Sequence, residues 1–342
     1  MKGLKSWRIA CWRALWVLAP FLFHPISSLP AQTSAGEIVI NRSSFAPIPR
    51  WQNQYLVGSE FQPSSSPPIF AYEINGGKVF ERQLTLDGAH QVYVKSMAAS
   101  RDGRFAATGL AVNLDTRTPY IAFLDRSGQV TRLVRPDHFY PNHLCFTSDG
   151  NLWAAGHVGP RSPEPEYDVL RVYGPDGAIK ATHLPRKSFA SVSQDLAMYP
   201  APAADGGAAI WPQLAANDNS VVFLTIGYQQ MVGLSLDGRE LFRTKVELAE
   251  RGMVTGFAVA PDGRVYLSSQ EPVAGDPKTY EYVFHMFDPA NGKWSAIYRR
   301  TSKERGLPRA VAMFDHERML VDFRAGEYAW VQSSGGGYAL GK

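Results

Sequence analysis

The sequence predicts an all-β chain folded as a six-bladed β-propeller, with four antiparallel strands in each blade. Three observations predict it. Two short phrases alternate along the chain. Each phrase returns at intervals of about fifty residues. Helical periodicity is nearly absent, with Lys245 to Gly252 the one stretch that reads as a helical turn or two.

The first phrase runs Met97-Ala98-Ala99-Ser100-Arg101-Asp102-Gly103-Arg104-Phe105. It returns as Leu144-Cys145-Phe146-Thr147-Ser148-Asp149-Gly150-Asn151-Leu152 and as Phe257-Ala258-Val259-Ala260-Pro261-Asp262-Gly263-Arg264-Val265. An apolar run, an Asp-Gly turn and a second apolar run make a hairpin signal. The second phrase has its turn glycines at 77, 128, 177, 238 and 292, spaced by 51, 49, 61 and 54 residues. One hairpin from each phrase supplies the four strands of a blade.

The units fall at about 94–135, 142–184, 209–245, 254–299 and 309–340. In the third, Asn217-Asp218-Asn219-Ser220 replaces the Asp-Gly turn, and in the fifth Asp315-His316-Glu317-Arg318 does. One more unit precedes them, with a clear second half at 69–84 and a vague first half at 37–58. A ring must close to protect its terminal sheet edges, and Glu37-Ile38-Val39-Ile40 is the expected closing strand. Pro47 to Pro68 reads as an irregular surface crossing. Val158 to Asp168 and Ser188 to Gly207 read as long loops of the kind that carries binding roles.

The first 35 residues read as a signal peptide, leaving 36–342 as a single propeller domain. Lys2, Lys5, Arg8 and Arg13 lead an apolar run from Ala14 to Phe23 that is too short to span a membrane. Small residues follow, and cleavage after Ala31 or Ala35 fits, the second better. Export to the periplasm or the medium follows. Without the leader the chain carries 31 basic and 31 acidic residues. That balance gives no electrostatic case for nucleic acid, and no membrane contact is expected once the leader is removed. Cys145 is then alone, set in an apolar run, and reads as a small core residue.

The repeats resemble those of the six-bladed propeller superfamily that includes NHL-repeat and TolB-like domains. Pro141-Asn142-His143-Leu144-Cys145-Phe146-Thr147-Ser148-Asp149-Gly150 is similar to the Pro-Asn-Gly-Leu-x-Phe-Ser-x-Asp-Gly phrase of the gluconolactonase and strictosidine-synthase branch. That resemblance implies a divalent metal at the channel mouth with Asn142 as one ligand, and a lactonase- or esterase-like hydrolase. His143 stands where the branch has glycine.

The repeat also predicts the channel lining. Seven residues before each hairpin Asp, the inner strand presents Lys95, Asn142, Trp211 and Thr255, and alignment of the last unit adds Arg309. A calcium site needs six to eight oxygen ligands, several of them charged. This ring holds two cations and no carboxylate, although Asp137, Asp195 and Glu250 lie a few residues upstream of three of these strands. Lys, Arg, Asn and Trp suit an anionic or carbohydrate ligand instead. His138, His143 and His157 cluster in sequence without a metal-binding spacing. No Gly-x-Ser-x-Gly elbow and no phosphate-cradling glycine loop occurs. The expectation is a non-catalytic module without a cofactor, holding a protein or a small anionic or carbohydrate ligand through Lys95, Asn142, His143, Trp211, Thr255 and Arg309. The alternative is the hydrolase, with calcium or zinc on Asn142. A quinone-dependent sugar oxidoreductase using Lys95, Arg309 and His143 is a lesser one.

Overall fold

The structure is a computed structural model. It describes residues 32–34, 50–59, 66, 68–114, 116–158, 166–189, 213–225, 230–246, 253–303, 310–315, 318–324 and 327–332. Among these, 24 strands form six four-stranded antiparallel sheets. The chain enters with β1 (Gln32–Ser34). The first full sheet is β2 (Arg50–Gln52), β3 (Tyr55–Ser59), β4 (Pro68–Glu73) and β5 (Lys78–Gln83). The second is β6 (Gln91–Ala99), β7 (Phe105–Asn113), β8 (Thr116–Leu124) and β9 (Val130–Val134). The third is β10 (Phe139–Phe146), β11 (Leu152–Val158), β12 (Asp168–Tyr173) and β13 (Ile179–Pro185). The fourth is β14 (Gln213–Ala216), β15 (Ser220–Leu224), β16 (Gln230–Ser235) and β17 (Glu240–Lys245). The fifth is β18 (Met253–Val259), β19 (Val265–Val273), β20 (Asp276–Asp288) and β21 (Lys293–Ser302). The last joins β22 (Ala310–Asp315), β23 (Arg318–Arg324) and β24 (Glu327–Gln332) to β1.

The first strand of each sheet faces the axis. β2 touches β6, β6 touches β10, β10 touches β14, β14 touches β18, β18 touches β22, and β22 returns to β2. The apolar core lies between sheets. One cluster joins Tyr55, Ile69 and Phe80 of the first sheet to Val94, Phe105 and Tyr120 of the second. Others join the second to the third, the third to the fourth, and so on to the fifth and last. Phe80 and Tyr55 both meet Phe105 edge-on, at ring centroid distances of 5.0 and 5.2 Å. Alternating side chains explain this, since each strand sends one set to each neighbouring blade. The molecule is an all-β propeller with four antiparallel strands per blade.

The recurring phrases are its hairpins. At Ser100–Arg104 the Ser100 N–H donates to Arg104 O at 2.8 Å and the Gly103 N–H to Ser100 O at 3.2 Å. Gly103 sits at φ 77° and Gly150 of the matching turn at φ 79°, a region that an L side chain resists. The Thr147 hydroxyl donates to Asp149 Oδ1 at 2.6 Å, and Ser100 does the same to Asp102. Serine or threonine two residues before the aspartate thus locks the turn.

Three expectations change. The described closing strand is Gln32–Ser34, paired with Trp330 and its neighbours, not Glu37–Ile40, which lies outside the described residues. This strand also falls inside the span 1–35 expected as leader. Pro47 to Pro68 is not simply a surface crossing, because it holds β2 and β3. Their two-residue turn puts Asn53 at φ 47° and Gln54 at φ 71°, so a hairpin forms without glycine. The left-handed glycine of the first unit is Gly76, one residue before the expected Gly77. Most of the expected loops at 158–168 and 188–207, and residues 247–252 of the expected helical stretch, lie outside the described residues.

Candidate functional site

Three inner strands carry a β-bulge at the positions the repeat singles out. Pairing slips between Val94 and Ser96, between Pro141 and His143, and between Val254 and Gly256. Lys95, Asn142 and Thr255 are the extra residues. A bulge puts two residues opposite one and re-aims side chains that alternation would send apart. On β10 Asn142 meets Lys95 of the second sheet, while His143 meets Leu214 of the fourth. Asn142 reaches His157, the partner of Tyr140, while His143 pairs with Ala155.

Asn142 is 1% exposed and is held at both ends. Lys95 Nζ donates to Asn142 Oδ1 at 3.0 Å. Asn142 Nδ2 lies 2.9 Å from His157 Nδ1. With its oxygen committed to an ammonium, the amide donates through nitrogen, so His157 Nδ1 accepts and the ring is the neutral Nε2–H form. Tyr140 stacks on that ring at 5.5 Å. Burial pushes Lys95 down to about 8. Burial, with the Lys95 charge beside it, pushes His157 down to about 3.

A second cluster lies deeper. His143 is 2% exposed, and its Nδ1 accepts the Leu214 N–H at 3.2 Å. Its proton is therefore on Nε2, a buried donor without a partner among the described residues. Leaving such a donor unmade costs about 1–3 kcal/mol. Burial first, then the nearby Arg50 charge, holds His143 well below its ordinary pKa. Arg50 comes from β2, yet its Nη1 donates to Gln213 Oε1 on β14 at 3.2 Å. In the ring of inner strands these two stand opposite, so the guanidinium crosses the channel. Gln52 completes the floor by donating to Leu144 O of β10 at 3.3 Å and accepting from the Ala99 N–H of β6 at 3.3 Å.

Of the expected mouth residues, Lys95 and Asn142 are bonded to one another. His143 adjoins them and Thr255 is half-buried at the matching bulge. Trp211 and Arg309 lie outside the described residues, as do Asp195 and Glu250. Asp137 is an exposed residue facing His138 at 3.4 Å. The sequence reading missed Arg50, Gln52 and Gln213, and gave His157 no partner. One signal was there. Gly109 and Gly156 each stand four residues into the second strand of their blade, and a Cβ on either would run into the Tyr93 or Tyr140 carbonyl of the bulged strand. A glycine at that offset marks close backbone approach.

The described residues do not fit a divalent cation. The oxygen that would ligate it already accepts from an ammonium. Among the described residues no group of three or more His, Cys, Asp or Glu side chains comes together. Cys145 is buried and its thiol is pushed up by burial, which keeps it protonated.

The chain matches no family model and no curated protein. Among solved structures it is similar to a periplasmic gluconolactonase of Pseudomonas aeruginosa, 16% identical over 87% of this chain and 82% of that one, TM-score 0.48. It is similar to a gluconolactonase of Xanthomonas campestris, 15% identical over 89% and 94%, TM-score 0.47. It is also similar to a protein of unknown function from Bacteroides caccae, 12% identical over 80% and 82%, TM-score 0.42. At these identities and scores the likenesses carry no argument about activity.

Proposed function

We propose that this chain is an exported six-bladed β-propeller that binds a small anionic ligand in its channel without transforming it. Each four-stranded sheet is read as one blade, and the basic, then apolar, leader supports export. The observation that carries the binding reading is the Lys95–Asn142–His157 chain. It holds a lysine ammonium in a bulge at the channel, orients it with a fixed amide, and backs it with a neutral histidine. The His157 nitrogen facing the amide is engaged. A charged donor in a poorly solvated site favours an anion and disfavours a metal.

The test is a thermal-shift and calorimetric screen of the purified chain against small organic acids, neutral sugars, calcium and zinc. Saturable binding of acids, lost in Lys95→Met, supports the reading. Stoichiometric calcium or zinc that raises the melting temperature and is lost in Asn142→Ala would overturn it in favour of the metal-dependent hydrolase.

A further inference from the structure

We propose that the channel holds a second anion subsite below Lys95, formed by Arg50 and the His143 Nε2–H, and that the ligand is therefore a short dicarboxylate spanning the two. This rests on the binding reading given above and narrows its ligand class.

The two subsites share one wall. Asn142 and His143 are consecutive residues of β10, one bonded to Lys95 of the second sheet and the other to Leu214 of the fourth. Asn142 takes the Lys95 ammonium, while Arg50 and His143 bond consecutive residues of β14, Gln213 and Leu214. Each subsite thus pairs one cation with one neutral, oriented polar side chain. The lower one is marked independently by a buried donor. His143 is almost wholly buried, its tautomer is set by the Leu214 N–H, and its remaining N–H meets no acceptor among the described residues. Neutral imidazole N–H beside guanidinium is a donor pair suited to a carboxylate.

Access and depth follow from the strands. Gln52 meets the backbone of β6 at Met97 and Ala99, which sets Arg50, two residues earlier on β2, between the levels of Lys95 and Met97 along the channel. At the rise of an extended strand, that is an axial offset of up to roughly 7 Å. Malonate, succinate and glutarate place their carboxylates across this range, with one, two and three methylenes between them. Gln213 holds Arg50 across the axis, so the lower subsite is a floor and the ligand enters from the Lys95 side. A monocarboxylate reaches only one cation.

The experiment needs no variant at its first step. Isothermal titration of the whole chain compares malonate, succinate, glutarate and adipate with acetate, propionate and butyrate at constant ionic strength. The expected result is an optimum among the three shorter diacids, at least about tenfold tighter than any monoacid, as two charge-assisted contacts require. Arg50→Met and His143→Phe then reduce the best diacid to the monoacid level and leave monoacid binding within about threefold, while Lys95→Met weakens both series. Equal binding of monoacids and diacids, with Lys95 still required, would overturn the second subsite and leave the binding reading intact. No binding by any acid would overturn both. If Arg50→Met fails to fold, the length dependence in the native chain decides alone.

Discussion

Lys95 is the residue on which ligand affinity should turn. Its ordinary pKa is lowered to about 8 by burial, so it is charged at neutral pH and loses the charge just above it. Anion binding should be flat below pH 8 and weaken by roughly tenfold per unit above it. A titration of affinity against pH checks this, and Lys95→Arg, which cannot deprotonate, should remove the slope. His157 works in the other direction. In the unfolded chain it takes a proton near pH 6.5, whereas in the fold it resists until about 3. The unfolded state therefore binds more protons across that window, and stability falls as pH falls from 6.5 toward 3. His143, also lowered by burial, adds to the same loss. Urea titrations between pH 7 and 4 should show it, and His157→Asn should flatten part of the slope. An unchanged slope would mean that the ring is not held neutral by burial.

At the scale of the strand pair, the bulge is the working element, and glycine is what permits it. A Cβ at Gly109 or Gly156 would meet the backbone carbonyl of Tyr93 or Tyr140, which no rotamer change can relieve. Gly109→Ala and Gly156→Ala should each destabilise by about 1–3 kcal/mol as overpacked sites do. Both should also weaken ligand binding, because Lys95 and Asn142 owe their aim to those bulges. Gly88→Ala is the contrasting control, since it has positive φ but open space around it and should cost only about 1–2 kcal/mol without affecting binding. Denaturant melts paired with titrations separate the two effects. The hairpin turns were legible in the sequence, because Asp-Gly after serine or threonine is a local device. The bulges were legible only as an offset from those turns. Counting seven residues back reached Lys95, Asn142 and Thr255, whose turns all have the same length. In the fourth sheet the turn between Ala216 and Val221 is one residue shorter than that between Ala99 and Phe105. The same count there, to Trp211, falls one position off the register of the others.

For the whole molecule, closure is the decisive event. β1 pairs with β24, so the two ends of the described chain meet in one sheet. Cleavage of the leader after Ala35 would remove that strand, whereas cleavage after Ala31 would keep it. On the export proposed above, the mature chain should therefore begin at or before Gln32, which N-terminal sequencing or intact mass will show. A chain shortened to begin at Gly36 should melt lower, by about 1–2 °C for each kcal/mol lost in a domain of this size. Equal melting temperatures would mean that the ring is closed by another segment.

The sequence by itself determined the all-β class, the hairpins and the approximate limits of the repeating units. Each of these is written in contacts between residues a few positions apart. It also pointed to Lys95 and Asn142, because a repeat carries its register from one blade to the next. Only the tertiary structure decided what those residues meet. Arg50 and Gln213 are 163 positions apart, and Gln52 and Leu144 are 92 apart. No periodicity links them. They meet because a closed ring brings strands that are remote in sequence to one axis, and the chemistry of the channel is made there.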